Sequence, residues 1–215
     1  GLKVVMPTFA DDAKGLLISS IFDPNPVIYL EHRWLHKTSS NTKKGDYRVK
    51  IGKARTCKKG KDVTIVSMSY LTIEALAAAK YLEDNFNIKV EVIDLRTIKP
   101  LDWNAIFKSV RKTGRLLVLD TGFTTGSVAA EIIAKTLIEK FNYFKCAPLR
   151  LAMPDIPEPT SPALTKDLYI SSIDIIESVF TLLNKKLNLN KANLKKLLNY
   201  PKHHDIPGEN FEGPF

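Results

Sequence analysis

The feature that most constrains this chain is the alternation that begins at Asp62. Apolar runs of strand length, "DVTIVSM" (62–68), "IKVEVIDL" (88–95), "RLLVLD" (115–120) and "APLRLAM" (147–153), are separated by longer stretches with helical spacing. Those stretches are "TIEALAAAKYLEDNF" (72–86), "WNAIFKSVRKT" (103–113), "GSVAAEIIAKTLIEKF" (126–141) and "SIDIIESVFTLLNKKL" (172–187). A run such as "VTIV" or "LLVL" has no polar face, so both of its sides must be buried. Strands of that kind, each followed by a helix, predict an α/β fold: a mostly parallel sheet with helices on both faces. Asp102 is placed to cap the helix from Trp103, and Gly114 to end it.

Upstream, "LKVVM" (2–6) and "PVIYLE" (26–31) read as two further strands around a helix. Thr8 and Asp11 fit a capping box, Asp11 and Asp12 suit the positive end of a helix dipole, and Ala13, Leu16, Leu17 and Ile21 recur on one stripe. Two strands make no independent sheet, so residues 1–36 read as the end of a larger domain. Residues 37–61 are polar, lysine-rich and carry three glycines, and read as a basic linker with short extended pieces around "YRVKIG". Residues 62–185 form the second domain, and 186–215 a basic helix followed by an extended tail.

The net charge of +9 bears on partners through its distribution. Residues 37–60 hold nine Lys/Arg against one acid, and 185–202 hold six Lys and no acid, so the rest of the chain is net negative. A basic linker and tail are not a groove-reading face, and nucleic acid is not an expected partner. No apolar run approaches the roughly 20 residues of a membrane-spanning helix. Two distant cysteines, Cys57 and Cys146, make neither a disulfide framework nor a metal cluster.

In an open parallel sheet functional groups gather at the carboxyl ends of the strands. Those ends carry Ser67–Ser69, Asp94–Arg96, Asp120–Gly122 and Met153–Asp155. "DTGFTTGS" (120–127) precedes a helix and could receive an anion, but it has neither the lysine of a phosphate-binding loop nor dinucleotide-binding spacing. It is read either as a plain strand–turn–helix connection or as an active-site or interface loop. His32 and His36 follow a strand, where a polar strand-end role fits better than zinc.

"GLKVVMPTFADDAKGLLISSIFDPNPVIYLEH", "GKARTCKKGKDVTIVSMSYLTIEALAAAKYL" and above all "VEVIDLRTIKPLDWNAIFKSVRKTGRLLVLD" resemble the beta subunit of the decarboxylating component of 2-oxoacid dehydrogenases (pyruvate, branched-chain and acetoin types) and, more distantly, transketolases. The resemblance covers about residues 1–182. It implies that 1–36 end a pyrimidine-binding domain and that 62–185 are a transketolase C-terminal domain. The intact assembly would be an oxidoreductase that uses thiamine diphosphate and Mg²⁺. It would decarboxylate a 2-oxoacid and pass the acyl group to a lipoyl acyltransferase core. An alpha subunit and a second beta subunit are the implied partners, and the compartment is the cytoplasm, or the matrix of an organelle in a eukaryote. The family's cofactor-activating glutamate and substrate-facing histidine lie upstream of the segment like Gly1–Val5, so no catalytic or cofactor-binding residue is expected here and the isolated chain is expected to be inactive. Alternatives are a transketolase-like transfer of two-carbon units and a non-catalytic dimerisation module.

The resemblance also gives the expected sites. Asp94 and Arg96 are read as a charged pair at a docking surface or within the domain, with Asp120 and Gly126 as further docking residues. The turn in "SSIFDPNP" (19–26) corresponds to one that holds potassium in several beta subunits, which places the ligands at Ser20, Ile21, Asp23 and Asn25. The chain departs from the family at "DTGFTTGS", where Asp120 replaces the usual Glu or His, and in the tail "HHDIPGENFEGPF", whose Phe211 and Phe215 suggest docking on a partner. Apolar residues Val4, Val5, Ile28 and Leu30 are expected to lack cover, and the chain to self-associate through its C-terminal domain.

Overall fold

The structure is a computed structural model and describes residues 1–36, 38–161, 163–165, 168–187 and 194. The extended tail with His203, His204, Phe211 and Phe215 lies outside the described residues. Eight strands are described: β1 (Lys3–Val5), β2 (Val27–Tyr29), β3 (Arg55–Lys58), β4 (Val63–Ser67), β5 (Val90–Asp94), β6 (Thr97–Lys99), β7 (Leu116–Phe123) and β8 (Leu149–Met153). Five helices accompany them: α1 (Ala10–Ile21), α2 (Tyr70–Phe86), α3 (Trp103–Thr113), α4 (Val128–Lys140) and α5 (Ser172–Leu182).

The main sheet runs β3-β5-β4-β7-β8. Its pairs β4–β5, β4–β7 and β7–β8 are parallel, and β3 is an antiparallel edge on β5. Side chains alternate across it as a pleated strand requires. Ile65, Val92, Leu117 and Leu119 pack with α2 and α5 on one face, and Val66, Leu116 and Val118 with Ile106, Val110 and Ile132 of α3 and α4 on the other. This two-sided burial is the cause of the unbroken apolar runs. Asp102 accepts a hydrogen bond from the Ala105 N–H and Gly114, with φ 70°, ends α3. The α5 N-terminus is capped twice over, by the Ser171/Asp174 capping box and by the buried Glu74 of α2, which accepts from the Ser172 N–H at 2.7 Å.

Three expectations need correction. The first helix begins at Ala10, and its N-cap Phe9 makes no side-chain bond. Thr8 reaches across the molecule instead and donates to the Ser69 carbonyl at 3.0 Å. On α1, Leu16 is buried, but Leu17 and Ile21 face outward.

Second, residues 37–61 are more than a linker. Arg55–Lys58 are a strand of the main sheet. The preceding segment lies along α1: the Tyr47 hydroxyl donates to the Asp11 carbonyl (2.6 Å), the Val49 N–H to the Gly15 carbonyl (3.1 Å) and the Ser19 hydroxyl to the Val49 carbonyl (2.7 Å). Gly15 admits this contact because a Cβ there would stand 2.5 Å from the Val49 side chain.

Third, β1 and β2 do not stand as a two-stranded remnant, because β6 joins them. It forms a second sheet, β2-β1-β6, in which β1 pairs parallel with β2 and antiparallel with β6. The small sheet is therefore completed by a strand from the middle of the chain, and Val5 is buried while Ile28 and Leu30 remain exposed.

Candidate functional site at the strand ends

The carboxyl ends of β4, β7 and β8 open onto a cleft of about 770 Å³ lined by Glu31, Trp34, Tyr70, Asp120, Met153 and Tyr169, among others. One wall is a ring cluster, with Trp34 4.7 Å from Tyr70 and 5.6 Å from Tyr169 between centroids. His32 stacks on Tyr70 at 5.1 Å, and its Nδ1 accepts from the Trp34 N–H. Burial, and then the nearby His36, lower the His32 pKa, so the ring is held neutral. His36 stands 4.0 Å from Glu31.

At the next strand end, the expected pair of Asp94 with Arg96 is not formed between side chains. Arg96 has a left-handed φ of 55°, which turns the chain out of β5 and into β6. Its guanidinium reaches Asp12 of α1 at 2.7 Å and the Lys53 and Ala54 carbonyls at 3.0 and 3.2 Å. The other Asp12 oxygen takes Arg55 of β3 at 2.7 Å, and the same Arg55 nitrogen contacts both Asp11 oxygens at 3.1 Å. Asp12 is thus a buried hub joining α1 to both β3 and the β5–β6 turn. Asp94 accepts the Arg96 backbone N–H at 3.2 Å, the Thr8 hydroxyl stands close enough to favour its ionised form, and its Oδ2 has no hydrogen-bond partner within bonding geometry among the described residues.

Asp120 closes the β7–α4 connection. Its oxygens accept from the Gly122 and Ala129 N–H groups, both at 2.9 Å, and Ser127 accepts from Ala130. The chain's own side chains, Asp120 and Ser127, thus occupy the α4 N-terminus in place of an anion. Gly126 is exposed with φ 72°. Beside it Thr125 donates through both its N–H (2.9 Å) and its hydroxyl (2.6 Å) to Asp155, whose pKa the hydroxyl bond lowers most. Asp120 and Gly126 belong to β7 and its loop, on the far side of β4 from Asp94 and Arg96.

In the turn after α1, the Ser20 carbonyl accepts the Asp23 N–H at 3.3 Å and Asp23 Oδ1 accepts the Asn25 N–H at 3.0 Å. Lys3 of β1 pairs with Asp23, and its hydrogen bond lowers the Asp23 pKa. Among the described residues no three His, Cys, Asp or Glu side chains gather as a metal site.

Asp12 and Arg55 were missed as site residues. Asp12 looks like any helix-first-turn acid, and Arg55 is one cation among many in a basic stretch. Nothing local marks either as the partner of a residue dozens of positions away.

The family described as Transketolase, C-terminal domain, matches residues 52–175. The chain is 45% identical over 163 residues to a protein named pyruvate dehydrogenase E1 component subunit beta, mitochondrial, of Chaetomium thermophilum, covering 74% of this chain and 43% of that protein. It is 42% identical over 180 residues to the Rhizobium meliloti protein named as the same subunit, covering 83% and 39%. It is 40% identical over 172 residues to the beta subunit of acetoin:2,6-dichlorophenolindophenol oxidoreductase of Cupriavidus necator, covering 80% and 50%. The chain thus spans about half or less of these relatives' length. A solved structure titled "Split gene transketolase, inactive beta4 tetramer" superposes with a TM-score of 0.70 at 26% identity, covering 86% of this chain and 59% of that one.

Proposed function

The chain belongs to the transketolase C-terminal domain family, and from that membership we propose that it is the assembly-bearing part of a beta subunit in a thiamine diphosphate-dependent 2-oxoacid dehydrogenase. The observation that carries this is the length of the likeness. Identity of 42% over 180 residues runs well beyond the family's 52–175, so it takes in the β1–α1–β2 unit or the α5 end as well. In the reading proposed here, the small sheet continues toward a pyrimidine-binding domain. The Asp12–Arg96–Arg55 bridge holds the two domains in register, and the strand-end loop with Asp120 and Gly126 faces a neighbouring subunit. An alpha subunit, a second beta subunit and a lipoyl acyltransferase core complete the assembly. The transketolase-like alternative is less favoured, because the solved transketolase neighbour is 26% identical whereas the dehydrogenase beta subunits reach 42–45%.

The described residues fit thiamine diphosphate poorly by themselves. Its pyrophosphate needs several cations or free amides, whereas the large cleft sets Arg33 against three carboxylates, Glu31, Asp120 and Glu158, and the Ala129 and Ala130 amides of α4 are already bonded. The 215-residue chain alone is therefore expected neither to bind the cofactor tightly nor to turn over a 2-oxoacid. Micromolar cofactor binding by calorimetry would contradict this. The function itself is tested with the full-length protein co-expressed with its alpha subunit and offered 2-oxoacids, acetoin and sugar phosphates. Dehydrogenation of a 2-oxoacid is expected; two-carbon transfer between sugars without it would overturn the reading.

The reading includes a monovalent cation at the α1–β2 turn, held by the carbonyls of Ser20, Ile21 and Asp23 and by the Asn25 side chain. Neutral oxygens suit a weakly hydrated ion better than Mg²⁺, and the turn's one acid is already paired with Lys3. Thermal unfolding of the full-length protein is expected at a higher midpoint in potassium than in tetramethylammonium chloride of equal ionic strength. Equal midpoints, or an Asn25→Ala variant that keeps the whole potassium effect, would remove the ion.

A further inference from the structure

The junction between α1 and the main sheet carries a group that none of the roles above uses. Asp94, at the end of β5, is fully buried. It is paired by position with Ser67 of β4 and followed by the left-handed Arg96. Across from it Ser69 is also in a left-handed conformation, with φ 51°, and its buried hydroxyl oxygen, like Asp94 Oδ2, has no hydrogen-bond partner among the described residues. Two strained residues and two orphaned polar atoms at adjacent strand ends mark a place held for more than packing.

The charged groups around Asp94 can be counted element by element. From α1 come Asp12 and, behind it, Asp11; from β3, Arg55 and the thiol of Cys57; from the β5–β6 turn, Arg96. The Cys57 thiol is pushed up to about 12 by burial first and by Asp94 second, so it adds no charge. Lys53 and Asp102 stand nearby as a pair of their own at 3.7 Å. With Asp94 protonated, Asp11 and Asp12 balance Arg55 and Arg96. With Asp94 ionised, three carboxylates share two guanidiniums at a junction whose inner side, Asp12 and Asp94, is buried, and one negative charge is left over.

We propose that Asp94 is a proton-operated latch: protonated, it leaves Arg96 and Arg55 to Asp12 and Asp11 and locks α1 onto the main sheet; ionised, it competes with Asp12 and loosens the β1–α1–β2 unit. This inference rests on the junction's geometry and not on the identity of the substrate or cofactor. Burial pushes Asp94 from the usual carboxylate value of 3.8 up to about 7. Thr8 is the largest counterweight, followed by the Arg96 N–H, while Asp12 adds to the rise. An acid whose pKa is raised by folding stabilises the protein at pH below its unfolded value, and that contribution is lost as pH climbs through the folded value. Global stability therefore falls across about 4 to 7, and the latch itself opens as pH passes about 7. His32, lowered by burial, contributes a slope of the opposite sign below its ordinary 6.5, so the variant must be compared with the unaltered chain at each pH.

The experiment follows Tm and backbone deuterium exchange from pH 5.5 to 8 in the unaltered chain and in Asp94→Asn, which mimics the neutral acid. Tm of the unaltered chain is expected to fall relative to Asp94→Asn as pH rises. Amides of residues 3–21 are expected to lose at least tenfold protection, beyond the intrinsic pH effect, only when Asp94 is present. Parallel pH profiles for the two proteins would overturn the proposal. Should Asp94→Asn not fold, carboxyl ¹³C titration of the unaltered chain decides: an aspartate midpoint between about 6 and 8 that coincides with the exchange change supports the latch, and ionisation of every aspartate below 5 overturns it.

Discussion

Asp12→Ala is expected to lower the thermal midpoint by roughly 10 °C, taking about 3–5 kcal/mol for a broken buried ion pair and about 2–4 °C per kcal/mol for a chain of this size. The Asp12 side chain is only 4% exposed and is the acceptor for two guanidiniums. Its removal leaves Arg96, 13% exposed, without its bonded carboxylate, holding only backbone carbonyls and, where it is ionised, the nearby Asp94. Arg55 has a different fate: at 38% exposure it recovers water and keeps Asp11, so Arg55→Ala is expected to cost no more than about 1 kcal/mol. Removing both charges in Asp12→Ala/Arg96→Met is expected to recover part of the loss, because the cost lies in the stranded charge. Circular-dichroism melts of the three variants check this order. An Asp12→Ala midpoint within 2 °C of the unaltered chain would show that the hub does not hold the units together.

Gly60→Ala is the second large effect, expected at about 3 kcal/mol, the upper end for forced overpacking. A Cβ at Gly60 would stand 2.2 Å from the Val90 carbonyl carbon and 2.4 Å from both the Glu91 nitrogen and the Lys89 oxygen. All three are backbone atoms, so no rotamer change can relieve the clash. The same few residues are tied by the Lys61 and Asp62 N–H groups to the Lys89 carbonyl and by the Lys89 N–H to Asp62. Room for a methyl group therefore requires β5 to shift within the sheet. Gly45→Ala is the control: its Cβ would meet nothing within 4 Å, but its φ of +76° leaves about 1 kcal/mol of conformational cost. Urea unfolding separates them, with both midpoints falling and the slope unchanged. A Gly60→Ala loss no greater than that of Gly45→Ala would contradict the close approach.

The sequence by itself determined the parallel core of the main sheet, because its central strands had to be largely apolar on both sides and the helices packed on them had to show one apolar stripe. Val63–Ser67 and Leu116–Leu119 are buried throughout, and the pattern says so directly; Val90–Asp94 is equally buried although it carries Glu91 and Asp94. It also determined local punctuation that depends on a few adjacent residues, such as Asp102 and Gly114 around α3. The order of those elements gives the fold class alone; the family is suggested by resemblance, above all around "DLRTIKPLD".

Only the tertiary structure decided what the charged residues do. Arg55–Lys58 are polar enough to pass for linker, yet they form an edge strand, because an edge needs backbone bonds on one side and little apolar burial. Thr97–Lys99 are too short to show a period, and they become a strand because β1 offers an unpaired edge. Thr8 and Asp11 have capping-box spacing, but the Ser69 carbonyl is a competing acceptor that no local pattern reveals. Asp12, Arg55 and Arg96 lie 43 and 84 positions apart along the chain from hub to partner. Hydrophobic patterning is a property of neighbours and survives in the sequence; the pairing of one buried charge with another depends on where distant strands end, and that information exists only once the sheet is built.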